Sequence, residues 1–191
     1  MLKKSNDIIT LSLILGAAAL ISFPLNEWLS ETMPRHQILQ LPAMFGLGII
    51  AGHRFSKKLT LDAPWRIATL VFIMSSLIFW MLPRSVDLSV IDTSFNRVMH
   101  INMLTAGFFV VPALRNAILE IKIIFLGMTA AMITASGGVL LVFDLLLCSA
   151  FTIEQQRQTG QLMIIIGSTL YVYAFFVFFR GLRKNRITAN Q

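Results

Sequence analysis

A single cysteine, Cys148, is the only thiol in this chain, which excludes an internal disulfide and any CxxC metal or redox motif. Charge is scarce too: only 13% of the 191 residues are Asp, Glu, Lys or Arg. A water-soluble domain usually carries about 25%. No stretch is long and polar enough to fold as a separate soluble domain, and the chain has no internal repeat or low-complexity tract. No serine–histidine pair, paired carboxylates or phosphate-binding glycine loop stands in a context that supports catalysis, so the chain reads as a non-enzyme.

What is present is apolar sequence: 56% of residues are hydrophobic, and the mean hydropathy is +0.75. The apolar residues come in runs long enough to cross a bilayer, for which a helix needs about 20 residues. The expected fold is one all-α membrane domain, residues 1–191, with six spans near 8–24, 36–52, 65–82, 98–114, 121–148 and 161–179. The first run follows Lys3 and Lys4 like a signal peptide. It continues through Leu20, Ile21 and Phe23 with no polar region before a cut, so it reads as a retained span. The long fifth span is expected to kink at Gly137-Gly138. Gly16, Gly46, Gly48, Gly107, Gly127 and Gly167 fall inside spans, where small residues let helices approach closely. Trp28, Trp65 and Trp80 fall near span ends, as interfacial anchors do.

The basic residues fix an expected orientation. Twelve of the 16 lie on one side of the spans, from Lys3 and Lys4 through Arg54, Lys57 and Lys58 to Arg180–Arg186. Arg35, Arg84, Arg97 and Arg157 lie on the other. By the positive-inside rule both termini face the cytoplasm, in an inner (plasma) membrane. The same rule accounts for the net charge of +7, with the lipid bilayer rather than nucleic acid as the partner.

On this topology the candidate chemistry collects at the outer mouth. His36 opens the second span in MPRHQILQLPAMFG, and His100 lies one turn inside the fourth in NRVMHINMLTAG. Met99, His100 and Met103 share one arc of a helix, His100 and Met103 being i,i+3 neighbours. Met81 ends the third span at the same level, and Met33 precedes His36. Imidazole beside thioether is a ligand set that suits Cu(I). Methionine is also a common filler of helix interfaces, and an interfacial histidine is often only a hydrogen-bonded anchor. Asp144, within VLLVFDLLLC, is a carboxylate inside the fifth span and is expected to face inward with a partner. Cys148 lies a turn beyond it.

Three segments carry a resemblance: RHQILQLPAMFGLG, FWMLPRSVDLSVIDTSFNRVMHINMLTAG and TIEQQRQTGQLM. In order and spacing they resemble the CtaG-like family of cytochrome c oxidase assembly factors over roughly residues 33–180. His36 matches the first histidine of that family's H-x-x-x-H opening, with Gln40 in place of the second. Trp80 and Pro83 match its W-H-x-P frame, with Met81 in place of the histidine. His100 matches the E-H pair, with Met99 in place of the glutamate. Glu154, Gln155, Gly160 and Met163 match its late acidic-Gln loop and Gly-x-x-Met.

The resemblance implies a membrane factor that handles copper on the outer side during oxidase maturation, with oxidase subunits as partners. His36, His100, Met81, Met99 and Met103 are then the expected Cu(I) ligands, with Asp144, Gln40 and Glu154 around them. Two readings stand beside it. One is a non-catalytic accessory or scaffold subunit of a respiratory complex. The other is a haem b protein ligated by His36 and His100.

Overall fold

The computed structural model describes the backbone of residues 2–142 and 147–189, and the side chains of 7–142, 147–181 and 183. Eight α-helices follow one another: α1 (Leu2–Ser22), α2 (Asn26–Ser30), α3 (Leu41–Phe55), α4 (Ala63–Met81), α5 (Pro83–Ile91), α6 (Thr93–Arg115), α7 (Leu119–Val142) and α8 (Ile153–Ala189). A π-helical segment, Arg35–Gln40, runs directly into α3, and no strand occurs among the described residues.

Among the described residues five stretches are long and apolar enough to cross a membrane: Arg35–Lys58, Ala63–Met81, Thr93–Arg115, Leu119–Val142 and Ile153–Gly181. The apolar part of α1, Asp7–Ser22, is shorter. The chain is therefore an all-helical, multi-pass membrane protein.

Two boundaries differ from expectation. Helix α7 is described as far as Val142, and Leu147 and Cys148 lie in a non-helical loop before α8, whereas the expected fifth span runs through Cys148. Residues 83–91, read as a polar loop, form α5. Pro83 sits at its first turn, where a missing N–H is harmless. Asp92 then caps α6, accepting hydrogen bonds from Ser94 N and Phe95 N at 2.7 and 3.3 Å.

Helices α3 and α6 cross at glycine. A Cβ on Gly107 would overlap the Phe45 carbonyl oxygen, and one on Gly48 would meet Leu104 O and lie 2.8 Å from Phe108 N. Helices α7 and α8 cross the same way: a Cβ on Gly137 would sit 2.7 Å from Gly160 O, and one on Gly167 would meet Thr134 Oγ1. The helical assignment runs unbroken through Gly137-Gly138, so Gly137 serves the crossing. Gly16, Gly46 and Gly127 face nothing within 4 Å and are not crossing residues.

Helix α4 packs along α6, and the α7–α8 hairpin touches this group through α4 and the π-helical segment. Between the two lies an apolar cavity of about 380 Å³, walled by Leu41, Phe45 and Leu77 on one side and Phe125, Ile133 and Ile166 on the other. At the end of the bundle away from α5, Arg54 pairs with Asp7 at 2.6 Å, and Arg115 donates to Ser56 O at 2.7 Å.

Candidate functional site

The π-helical segment follows from Pro42. Proline has no N–H, and its ring collides with the carbonyl four residues back, here Ile38. The turn before it widens, and Leu41 N donates to His36 O, five residues back. A π-bulge is uncommon and is often found at functional sites. This one places His36, Gln37 and Gln40 in the interior, with His36 and Gln40 fully buried.

Both nitrogens of His36 are engaged. Nδ1 lies 2.6 Å from Gln40 Oε1, and Nε2 lies 2.8 Å from Ser89 Oγ on α5. The Gln40 amide nitrogen donates to Asn26 Oδ1 at 2.8 Å, which turns its oxygen toward the ring. A neutral His36 therefore carries its proton on Nδ1 and accepts from the Ser89 hydroxyl. That hydroxyl also lies 2.7 Å from Val86 O, so its one proton is shared. The chain continues through the backbone: Asn96 Nδ2 on α6 donates to Ser89 O at 2.8 Å. Gln40, expected near His36, is thus bonded directly to it.

His100 lies one turn along α6 from Asn96. It is 2% exposed, and neither ring nitrogen has a hydrogen-bond partner among the described residues. A buried polar group without a partner is unfavourable and asks for an explanation. The two expected ligands therefore differ: one imidazole is saturated by protein and the other has both nitrogens open.

The methionines divide between two places. Met99 and Met103 are buried with Leu41, Met44 and Trp80 in the packed core between α3, α4 and α6. Trp80 is 3% exposed, with its Nε1 donating to Asn102 Oδ1 at 2.8 Å, so it is a core residue and not an interfacial anchor. Trp28 and Trp65 are exposed. Met81 instead lines a second cavity, of about 190 Å³, together with Met33, Met163 and Cys148.

Glu154 is exposed at the start of α8, where it accepts from Gln158 at 3.0 Å, and nothing connects it with the imidazoles. Asp144 lies outside the described residues. Among the described residues no three His, Cys, Asp or Glu side chains are grouped to hold a metal ion.

Sequence reasoning missed Asp87 and Gln156. Asp87, buried on α5, accepts from Ser149 N, Ser149 Oγ and Ala150 N at 2.8–3.0 Å. Gln156 on α8 holds the same loop, accepting from Cys148 N and donating to Cys148 O and Phe151 O. The charge of Asp87 in a segment otherwise ready to be helical was the available signal. Comparison with family models, with curated proteins and with solved structures gives no match.

Proposed function

We propose that this chain is a membrane assembly factor for a haem–copper cytochrome c oxidase, and that it holds Cu(I) as cargo near the end of the bundle that carries α5. In this reading that end is extracytoplasmic, the termini are cytoplasmic, and the membrane is the inner (plasma) membrane, as the distribution of basic residues favours. The resemblance over residues 33–180 supplies the oxidase. The observation that carries the copper is His100, buried with two open nitrogens beside Met99 and Met103 on one helix. An imidazole with thioether neighbours is a soft, low-coordinate donor set from which Cu(I) can pass to a partner. His36 joins as a ligand only when Ser89 or Gln40 releases a ring nitrogen. No reaction is catalysed.

Anaerobic Cu(I) loading of the full chain in detergent, read by copper K-edge absorption, tests this. Imidazole scattering is expected, and it should vanish in a His36→Ala/His100→Ala variant. Bound copper without imidazole scattering would remove His100 from the site.

The saturated hydrogen bonding of His36 favours a second reading, in which the chain is an accessory or scaffold subunit of a respiratory complex and its histidines are structural. Co-purification with a mature oxidase at fixed stoichiometry, free of copper, would select it. A transient assembly factor is absent from the finished complex.

A further inference from the structure

The cavity lined by Met81 has an unusual donor composition. Sulfur-bearing side chains are 11 of the 191 residues in the chain, yet they are 4 of the 11 lining residues: Met33, Met81, Cys148 and Met163. They come from four separate places: the segment before the π-helix, the end of α4, the α7–α8 loop and α8. Met33, Cys148 and Met163 are at most 4% exposed, so water does not compete at those three. Among the described residues no charged side chain lines the cavity, and the polar side-chain groups besides the thiol are Gln37 and Ser136.

Two of the sulfurs are located by their own contacts. Ser136 Oγ lies 3.9 Å from Met81 Sδ, and Cys148 Sγ lies 3.9 Å from Pro83 O, with Ser136 and Pro83 both on the cavity wall. The loop bearing Cys148 is held from both sides, by Asp87 of α5 and by Gln156 of α8. A thiol fixed by six hydrogen bonds to its loop is a positioned group, and the bonds come from both halves of the bundle.

We infer that Met33, Met81, Met163 and Cys148 form a second Cu(I) site, made of sulfur alone and distinct from His100. Three thioethers and one thiol are soft donors that select Cu(I) over hard divalent ions. Copper enters and leaves as Cu(I) with no electron transferred. When the Sγ–Cu bond forms, the Cys148 proton goes to water, so the site gains no net charge. Met81 and Gln37 also line the larger apolar cavity, which places the sulfur site at the junction between the α3–α6 group and the α7–α8 hairpin. The inference rests on the copper reading for its choice of cation and on none of that reading's imidazole ligands.

The test uses the full chain in detergent, loaded anaerobically with Cu(I) against a competing chelator and read by copper K-edge absorption. A sulfur shell is expected in the unaltered protein and in His100→Ala. A Met81→Leu/Met163→Leu variant should bind this copper about 100-fold more weakly or worse, since even outer partners of metal ligands contribute 10- to 100-fold. Leucine conserves volume at both positions, so the fold should persist. If that variant fails to fold, Cys148→Ser decides the matter: it should lose sulfur from the copper shell, whereas copper held by His100, Met99 and Met103 would be unchanged. Copper bound with imidazole scattering and with a sulfur shell unchanged in Met81→Leu/Met163→Leu and in Cys148→Ser would overturn this site and leave the proposed function standing. A sulfur shell with no imidazole scattering would support this site and remove His100. No Cu(I) uptake at all would overturn both.

Discussion

The α3–α6 pair and the α7–α8 pair are joined by the same device and filled with different chemistry. Each crosses where glycine lets backbone meet backbone, at Gly48 and Gly107 in one and at Gly137, Gly160 and Gly167 in the other. Close crossing needs only small residues, because lipid removes the hydrophobic drive between helices. Around α3 and α6 the interior then takes in His36, Gln37, Gln40, Asn96 and His100. Between α7 and α8 it is nearly all apolar, with Gln156 and Thr159 buried only in the first turns of α8. Polar groups within a membrane are unfavourable and tend to mark function. The difference between the pairs therefore sets most of the buried polar side chains beside α3 and α6, and the hairpin meets them across an apolar cavity.

The sharpest way to break the comparison is at the crossings. Gly107→Leu would drive a Cβ into the Phe45 carbonyl oxygen, a backbone atom that cannot swing aside. We expect a loss of about 3 kcal/mol or more, at the upper end for overpacking, and little folded protein. Gly127→Leu is the control on the hairpin, since nothing lies within 4 Å of its Cβ position. Yield of monodisperse protein by size-exclusion chromatography reads both. Equal yields would show that the α3–α6 crossing does not hold the bundle.

A smaller effect is expected where the two regions meet. Asp87 accepts three hydrogen bonds from the α7–α8 loop, so Asp87→Ala should lower stability by about 2–3 kcal/mol, the range for bonds to a buried charged group. Thermal unfolding in detergent measures it. The same substitution should expose Cys148. In the intact protein, burial first and the Asp87 carboxylate second push this thiol up to about 12. Since the thiolate is the nucleophile, alkylation should rise tenfold per pH unit from about 7 to 11, with no levelling near 8.5. Asp87→Ala should raise the rate at neutral pH and bring the plateau down. An ordinary plateau in the intact protein would mean that the loop is not held as the hydrogen bonds indicate.

The helical class and the multi-pass character were legible because hydropathy over some 20 residues reports burial in lipid directly. The loop at Leu147 and Cys148 was not, because these apolar residues read the same whether helical or looped. Helix α5 was hidden by its polar residues: Ser85, Asp87 and Ser89 are buried, and Ser89 and Asp87 bond to the π-helical segment, α6 and the α7–α8 loop, which no local pattern encodes. The split of the methionines is of the same kind. Met81, Met99 and Met103 stand at similar depth in the sequence pattern, but their helices turn two of them into the α3–α6 core and the third toward the hairpin. Gln40 was set beside His36 only through the H-x-x-x-H likeness, and the π-turn that carries both was visible only as Pro42.

The finest comparison lies within the α3–α6 region, between its two imidazoles. Ser89→Ala removes the hydroxyl at His36 Nε2 and leaves a buried nitrogen unpartnered, a loss of about 1–2 kcal/mol. His100→Leu removes a ring that makes no hydrogen bond and puts an apolar side chain of similar size into a buried site. Its expected effect on unfolding in detergent is near zero or slightly stabilising, because burying a polar group without a partner is unfavourable in itself. If both variants behave this way, His36 is held by structure and His100 is carried at the expense of stability, as groups reserved for function often are. A loss of about 1 kcal/mol or more in His100→Leu would instead mean that its nitrogens have a partner, and the imidazoles would no longer divide into one structural and one open.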